Sequence, residues 1–178
     1  MIWFTSDFHI GDIRMLKRRK LFLSLEEMEQ TLINNYNQKV GCDDIVWLVG
    51  DIVGDIESAL RVFPRLNGKK NYVIGNHDRK WIRESQVQSF FNNIYESTVE
   101  MIENVPVSIS HYPLYEWYKS KYGGVLIHGH MHDEYIDLPF YKNFCAYDVS
   151  IEKNNYEPVS WYDIVEHFEK DKKKILRL

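Results

Sequence analysis

The chain has 178 residues, of which 44% are hydrophobic, and this is enough to bury one sizeable core but leaves little material for a second domain. We therefore expect a single domain spanning residues 1–178. The 22 basic and 26 acidic residues give a net charge of -4, and nothing in these totals indicates bulk electrostatic attraction to nucleic acid or to an anionic membrane, so any affinity for phosphate must be local.

Short apolar segments rich in β-branched and aromatic residues predict buried strands, and segments of helical period separate them. The strands are expected at residues 2–5, 45–49, 72–74, 107–110 and 125–128. Each is nearly continuous in apolar character, as strands covered on both faces are. The alternation favours an α/β domain in which helices cover sheet.

Helix signals occur between the predicted strands. Ser24 and Glu27 form a capping-box pattern ahead of apolar residues at helical spacing, and Asp55 is placed to cap a second helix that ends before Asn67-Gly68. A third helix is expected within residues 79–91 and a fourth over residues 160–170, beginning at Ser160 with an acidic residue three positions later.

The cysteine count and the apolar segments indicate a compartment. Cys42 and Cys145 lie far apart in the sequence, which fits a reducing environment better than a disulfide-bonded secreted fold. No apolar segment approaches the roughly 20 residues that a membrane helix needs. The first residues are apolar but reach Asp7 without the cationic region of a signal peptide. We therefore expect a soluble, cytoplasmic protein that does not bind membranes.

Polar residues with metal-binding side chains cluster where the predicted strands end. Asp7 and His9 follow the first strand, Gly50-Asp51 the second, and the segment from Gly75 to Asp78 the third. Six of the seven histidines lie at such positions, namely His9, His77, His111, His128, His130 and His132. Ligands of open α/β sheets bind at this edge, so these side chains are expected to form one site.

Metal binding explains the residue types at this edge. Imidazole nitrogen with carboxylate or amide oxygen suits Mn, Fe, Zn, Ni or Co rather than calcium. Two ions about 3.5–4 Å apart need a bridging anionic oxygen and several further ligands, which is the number of candidates that the segments offer. Taken alone, His130 and His132 fit a polar turn as well as a metal site. The joint occurrence of all the segments in order favours a site for two divalent transition-metal ions.

The ordered set Asp7-x-His9, Gly50-Asp51, Gly75-Asn76-His77-Asp78, His111 and Gly129-His130-x-His132 resembles the signature blocks of the calcineurin-like metallophosphoesterases. Residues 147–160 are similar to the closing segment of small bacterial and phage members. The resemblance implies two stacked mixed β-sheets flanked by helices. It also implies one metal bound by Asp7, His9 and His132, a second bound by Asn76, His111 and His130, and Asp51 as the bridge, with Mn²⁺ the expected metal.

The same resemblance assigns the chemistry. It implies a hydroxide bridging the two metals as the nucleophile, His77 as the general acid that protonates the leaving oxygen, and Asp78 as the residue that orients the His77 imidazole. The expected activity is a phosphoesterase, and the expected substrate is a small phosphate ester or nucleotide, with phosphodiesters preferred.

Departures from the family pattern narrow the substrate class. The protein phosphatases carry an Asp-Arg-Gly segment after Gly-Asp, whereas Asp51 is followed here by residues 52–55 without an arginine. Asp133 stands where the last motif often has glycine. The DNA-repair nucleases of the superfamily carry capping domains that this chain is too short to contain. The missing arginine segment argues against a protein phosphatase, and the short chain argues against a large double-strand nuclease.

Substrate contacts remain open at this stage. Residues 14–20 are rich in Arg and Lys and fit either a solvated face or a phosphate contact, and the aromatic residues 112–118 fit either loop packing or base stacking. A nuclease acting on single-stranded nucleic acid and a non-catalytic scaffold on the same fold are the alternative functions. His128 lies outside the ligand pattern and is expected to be buried or to support the ligands rather than bind metal, and His167 is expected to lie on the surface. The sequence leaves the oligomeric state undetermined.

Overall fold

A computed structural model describes residues 1–132, 134, 141 and 143–178. Asp133 lies outside the described residues. The strands are β1 (Ile2–Thr5), β2 (Ile45–Leu48), β3 (Lys69–Val73), β4 (Asn93–Tyr95), β5 (Ser97–Ile102), β6 (Val105–Ser110), β7 (Val125–His128), β8 (Cys145–Asp148) and β9 (Val159–Ser160).

The strands form two mixed sheets. The first has the order β4-β3-β2-β1-β9, with β1 to β4 parallel and β9 antiparallel to β1. The second has the order β5-β6-β7-β8, in which β5 pairs antiparallel and the other three run parallel. Within each sheet the parallel strands therefore end at the same edge, and the loops that follow them can meet there.

The helices are α1 (Arg14–Arg18), α2 (Leu25–Lys39), α3 (Ile56–Val62), α4 (Ser85–Gln88) and α5 (Trp161–Lys170). The predicted caps are present: Ser24, Asp55 and Ser160 each accept a hydrogen bond from a backbone amide of the following helix. Within the part of the chain that the structure describes, no helix combines the length and the apolar character that crossing a bilayer requires.

Alternation along the first sheet divides the core into two layers. Val46 and Leu48 face the layer formed with α2 and α3, whereas Trp47 and Val49 face the second sheet. The layer between the sheets also contains Val107 and other inward side chains of the second sheet. The predicted fold class, two stacked mixed sheets flanked by helices, is confirmed.

The helix expected within residues 79–91 is wrong as a continuous element. Residues 78–80 form a 3₁₀ turn, Glu84 is extended, and only α4 is helical. Ile82 and Val87 are both buried in the same core layer. They would lie about 140° apart around an unbroken helix, so the break at Glu84 lets both side chains face that layer. Five elements, α1, β4, β5, β8 and β9, were not predicted from the sequence pattern.

Candidate metal centre

The loops that follow β1, β2, β3, β6 and β7 meet at one edge of the two sheets. There the potential ligand atoms form three groups within which all atoms lie within 4.8 Å of one another: Asp7 with His9 and His132, Asp51 with His111 and His130, and His9 with Asp51 and His77. The two sheets are joined at this edge, because the Ser6 amide donates to the Val149 carbonyl and Ser6 forms a bridge with Ser150. The structure thus brings together seven of the residues that the sequence predicted at this edge, whereas His128 lies outside the three groups.

Three residues define the first cluster, namely Asp7, His9 and His132. The Nε2 atoms of both histidines lie 3.7 Å from Asp7 Oδ1. His9 Nε2 is also 3.7 Å from Asp51 Oδ2, so this carboxylate oxygen borders the cluster.

Asp51 also belongs to the second cluster. His111 Nε2 lies 3.4 Å from Asp51 Oδ2 and 3.1 Å from Asn76 Oδ1, and His130 belongs to the same group of ligand atoms. A single carboxylate oxygen therefore lies between the two clusters, which is the position of a bridging ligand.

Two unpaired atoms test whether the site fits a cation. Asp7 Oδ1 and His9 Nε2 are both buried without a hydrogen-bond partner in the described part of the chain. Leaving such atoms unsatisfied is costly unless an ion or water meets them. Donor atoms that share an ion at about 2.1 Å lie about 3.0–4.2 Å apart, and the measured separations of 3.4 and 3.7 Å fall in this range. The residues fit divalent transition-metal ions.

The backbone at the site is in an unusual conformation. Five residues of the two clusters have positive φ, between 49° and 73°: Asp7, His9, Asp51, His130 and His132. This left-handed region is unfavourable for residues with a side chain, at a cost of order 1–3 kcal/mol each, and it concentrates at functional sites. Strain at five ligand candidates indicates that the loops are shaped for the site rather than for stability.

Two glycines of the motifs are required by close approach of the site carboxylates. A Cβ on Gly75 would overlap Asp51 Oδ1, and a Cβ on Gly129 would overlap Ser6 Oγ and lie 2.6 Å from Asp7 Oδ2. Any larger residue would displace one of these carboxylates. Steric exclusion therefore explains the glycine of the Gly-Asn-His-Asp and Gly-His motifs, in addition to the chemistry of the polar residues that follow it.

Contacts outside the clusters orient the ligand atoms. His111 Nδ1 lies 2.8 Å from the Val49 carbonyl and His132 Nδ1 lies 2.9 Å from Glu152 Oε1, so both rings present Nε2 to the site. Asp7 Oδ2 accepts hydrogen bonds from Ser6 Oγ (2.5 Å), Ser150 Oγ (3.2 Å) and the His130 amide (2.9 Å), which leaves Oδ1 directed at the cluster.

Arg19 and Glu152 form a buried ion pair behind the first cluster. The Arg19 guanidinium donates to Glu152 Oε1 at 2.6 and 2.9 Å, to the Asp7 carbonyl at 2.5 Å and to the Phe8 carbonyl at 2.6 Å. A solvated position for residue 19 is therefore wrong, although the neighbouring Arg14, Lys17, Arg18 and Lys20 are exposed. Glu152 was not predictable from the sequence, because no local pattern links it to a histidine 20 positions earlier.

His77 lies at the solvent edge of the site. Its side chain is 39% exposed, its Nε2 is 4.0 Å from Asp51 Oδ2, and its ring contacts that of His9 at 5.0 Å between centroids. Its backbone amide donates to Asp51 Oδ1 at 2.9 Å. The imidazole is thus close to the ligands and accessible to a substrate.

Asp78 is buried beneath the same loops. Its Oδ2 accepts hydrogen bonds from the backbone amides of Gly75 (2.7 Å) and Asp51 (3.0 Å). No hydrogen bond to the His77 ring occurs among the described residues, so an orienting role for Asp78 would act through the backbone of these two loops. Burial first, and then the charge of Asp51, raise the pKa of Asp78 to about 7.

The electrostatics of the clusters favour cations. Burial raises the pKa values of Asp7 and Asp51, but neighbouring histidines outweigh it and lower both pKa values. Burial lowers the pKa of His111, yet pairing with Asp51 and the charge of Asp7 raise it to about 9. Without a metal, a proton on His111 therefore partly neutralises the two carboxylates, and metal binding must release it.

Other side chains lie near the site without belonging to the clusters. Tyr112 is 44% exposed, and its ring lies 4.7 Å from the His130 ring and 5.3 Å from the His111 ring. His128 is buried with Nδ1 3.0 Å from the Gly129 carbonyl, and His167 is exposed beside Asp171, as the sequence predicted for each.

Comparisons with known proteins identify a family, related sequences and a similar fold. The model of a family described as calcineurin-like phosphoesterase matches residues 1–176. The uncharacterized protein MJ1445 of Methanocaldococcus jannaschii is 31% identical over 177 residues, covering 96% of this chain and 93% of its own length. The gene 66 protein of Mycobacterium phage L5 is 30% identical over 162 residues, covering 75% of this chain and 78% of its own length. The crystal structure of AQ665, a protein of unknown function from Aquifex aeolicus, is similar with a TM-score of 0.75 and 22% identity, covering 94% of this chain and 98% of that one.

Proposed function

The chain belongs to the calcineurin-like phosphoesterase family, and we propose that it is a dinuclear metal-dependent hydrolase of phosphodiester or nucleotide-type substrates. The observation that carries this proposal is that His9 Nε2 lies 3.7 Å from both Asp7 Oδ1 and Asp51 Oδ2, while Asp7 Oδ1 and His9 Nε2 are buried and unpaired among the described residues. Buried polar atoms usually have hydrogen-bond partners, and a bound ion would supply a partner for these two.

Each cluster would hold one ion. Asp7, His9 and His132 are the ligands of the first, and Asn76, His111 and His130 are the ligands of the second, with Asp51 Oδ2 shared between them. When bound, two such cations supply an activated water and neutralise the charge of the attacked phosphate. The protein holds the ligand atoms in place before the ions arrive, through the hydrogen bonds of Asp7 Oδ2 and of the histidine Nδ1 atoms.

His77 would donate a proton to the leaving oxygen. Its ring lies beside the clusters but is exposed enough to exchange protons with solvent, and its amide hydrogen bond to Asp51 ties its position to the shared carboxylate. Asp78 would be a positioning residue, because its carboxylate joins the backbone of Asp51 to that of Gly75. General acid catalysis of this kind contributes typically about 10²–10⁴-fold.

The segment after Asp51 supports phosphodiesters, rather than phosphoproteins, as the substrates. Ile52 and Val53 are fully buried in the core, and Asp55 caps α3. These residues therefore stabilise the fold and do not contact a substrate. The segment contains no arginine that could pair with the second negative charge of a phosphate monoester. A diester, which carries one charge, needs no such partner.

A nuclease acting on single-stranded nucleic acid is the second candidate. The observation that favours it is Tyr112, whose half-exposed ring packs against His130 and would offer a base a stacking surface next to the second cluster. A strongly salt-dependent affinity for oligonucleotides would distinguish this activity from hydrolysis of small esters.

The proposal also includes the identity of the bound metal and the cellular location of the protein. Mn²⁺ is the proposed metal, with Fe, Zn, Ni or Co as alternatives, because the donor set is nitrogen and oxygen without thiolate. Both cysteines are free, Cys42 exposed and Cys145 buried, which supports a reducing, cytoplasmic location.

Hydrolysis of bis(p-nitrophenyl) phosphate and p-nitrophenyl phosphate by chelated and Mn²⁺-reconstituted protein tests this function. We expect activity that requires metal and prefers the diester. A monoester preference of tenfold or more in kcat/KM would contradict the diester assignment. Metal binding without hydrolysis of any ester would support a non-catalytic scaffold instead.

A further inference from the structure

An open cleft of about 450 Å³ joins the candidate metal centre to a basic surface. Its lining contains three histidines of the site and three cationic residues of α1, namely His9, His77, His132, Arg14, Lys17 and Arg18. The lining also contains Asp12, so a molecule bound at the first cluster meets the Arg14–Asp12 pair, Lys17 and Arg18 when it extends along this cleft.

The position of these cations is fixed by the buried face of the same segment. Met15 is buried in the core, and Arg19, at the end of α1, donates to the Asp7 and Phe8 carbonyls of the metal-binding loop. The helix is thereby attached to the loop that carries Asp7 and His9, and Lys17 and Arg18 are held on its outer side.

Lys17 is the least engaged of the three cations. Arg14 is already paired with Asp12 through three hydrogen bonds of 2.6 to 3.0 Å. Arg18 lies 3.6 Å from Glu134, whose side chain is 68% exposed, so solvent screens this pair. Lys17 takes part in none of the ion pairs found among the described residues. Lys17 is therefore the clearest partner for an added negative charge.

We infer that this cleft binds a second phosphate group of the substrate, on the side of the leaving alcohol. The inference rests on the proposed function, because His77, the proposed proton donor to the leaving oxygen, lines the same cleft as Lys17 and Arg18. The substrate class is then a phosphodiester whose leaving group carries a further phosphate, such as a phosphorylated dinucleotide. An uncharged leaving group would leave these cations without a role in catalysis.

Three dinucleotides and one matched control variant test the inference. The substrates are thymidylyl-thymidine without a terminal phosphate, the same compound with a 5′ phosphate, and the same compound with a 3′ phosphate. The variants are Lys17→Gln and Lys20→Gln, which remove the same charge; Lys20 is exposed but is not among the lining residues of the cleft. Cleavage by the Mn²⁺-loaded proteins is followed by chromatography over a range of salt concentrations.

We expect one of the two phosphorylated dinucleotides to be cleaved faster than the unphosphorylated one. Lys17→Gln should lower kcat/KM for that substrate about two- to fivefold at low salt, as expected for the loss of one solvent-exposed ion pair. The kcat/KM for the unphosphorylated substrate should not change. Lys17→Gln should also make kcat/KM for the preferred substrate less sensitive to salt, because one screened attraction is removed. Lys20→Gln should change none of these values.

The failures of the two proposals are distinguishable. If the wild type hydrolyses bis(p-nitrophenyl) phosphate but does not prefer a phosphorylated dinucleotide, or if Lys17→Gln and Lys20→Gln act alike, the cleft assignment is overturned and the phosphoesterase activity stands. If no ester is hydrolysed, the proposed function fails, and equilibrium dialysis of the three dinucleotides against both variants still decides whether Lys17 binds a second phosphate.

Discussion

Replacing Glu152 tests how the buried ion pair supports the first cluster. Glu152 Oε1 accepts all three hydrogen bonds, from His132 Nδ1 and from two nitrogens of Arg19, whereas its Oε2 is buried without a partner among the described residues. Glu152→Gln can therefore keep Oε1 in place and remove only the charge. Glu152→Ala removes the charge and the contacts.

The expected magnitudes follow from these contacts. Loss of an outer partner of a metal-ligating histidine costs typically about 10–100-fold in metal affinity. We expect the Gln variant near the lower value and the Ala variant near the upper value, because only the latter frees the His132 ring to rotate. Removing one member of a buried ion pair also lowers the free energy of unfolding by about 3–5 kcal/mol. We expect the Gln variant at the lower end of this range, because Arg19 keeps its hydrogen bonds to the Asp7 and Phe8 carbonyls.

Competition with a fluorescent chelator measures Mn²⁺ affinity, and urea unfolding measures stability. Glu157→Gln is the matched control, because Glu157 pairs with Lys39 at 3.0 Å on the surface with both side chains about two-fifths exposed. It should leave metal affinity unchanged and cost less than about 1 kcal/mol. Folded Glu152 variants that bind metal as the wild type does would refute the supporting role of Glu152.

Three further substitutions separate the proposed roles at the site. His77→Asn should leave both metals bound and lower kcat by about 10²–10⁴-fold for alkyl or ribose leaving groups, with a smaller loss for nitrophenol esters; loss of a metal ion would show His77 to be a ligand. Asp51→Asn should weaken both sites and lower activity for every leaving group, with only partial rescue by excess metal; full rescue would rule out the bridging role. Asp78→Asn tests a pH dependence: because the pKa of Asp78 is about 7 in the folded chain, against 3.8, the metal-free wild type loses stability as pH rises from about 4 to about 7, whereas the variant does not. The variant should therefore gain up to about 4 kcal/mol relative to the wild type between pH 4 and pH 8, measured by urea unfolding, and parallel pH profiles would contradict this.

The positions of the ligand candidates were predictable because strand ends are visible in the sequence. Asp7, Asp51 and His111 each follow an apolar run, and parallel strands bring their carboxyl ends to one edge without any knowledge of the loops. The caps at Ser24, Asp55 and Ser160 were predictable for the same reason, since they depend on residues only three positions apart.

Features that depend on distant contacts were not predictable. Arg19 stands within a basic run that resembles a solvated face, and only its pairing with Glu152, 133 positions later, makes its burial favourable. The helix expected over residues 79–91 failed because Ile82 and Val87 must face one core layer, which local periodicity does not reveal. The left-handed backbone of Asp7 and His132 is likewise set by the loops it must join.

The metal content of the folded chain tests the central claim most directly. Elemental analysis after chelation, Mn²⁺ reconstitution and removal of unbound metal should give two ions per chain, and Asp7→Asn should reduce this number while the chain remains folded. A folded, reconstituted wild-type protein that retains no metal would contradict the assignment of both clusters.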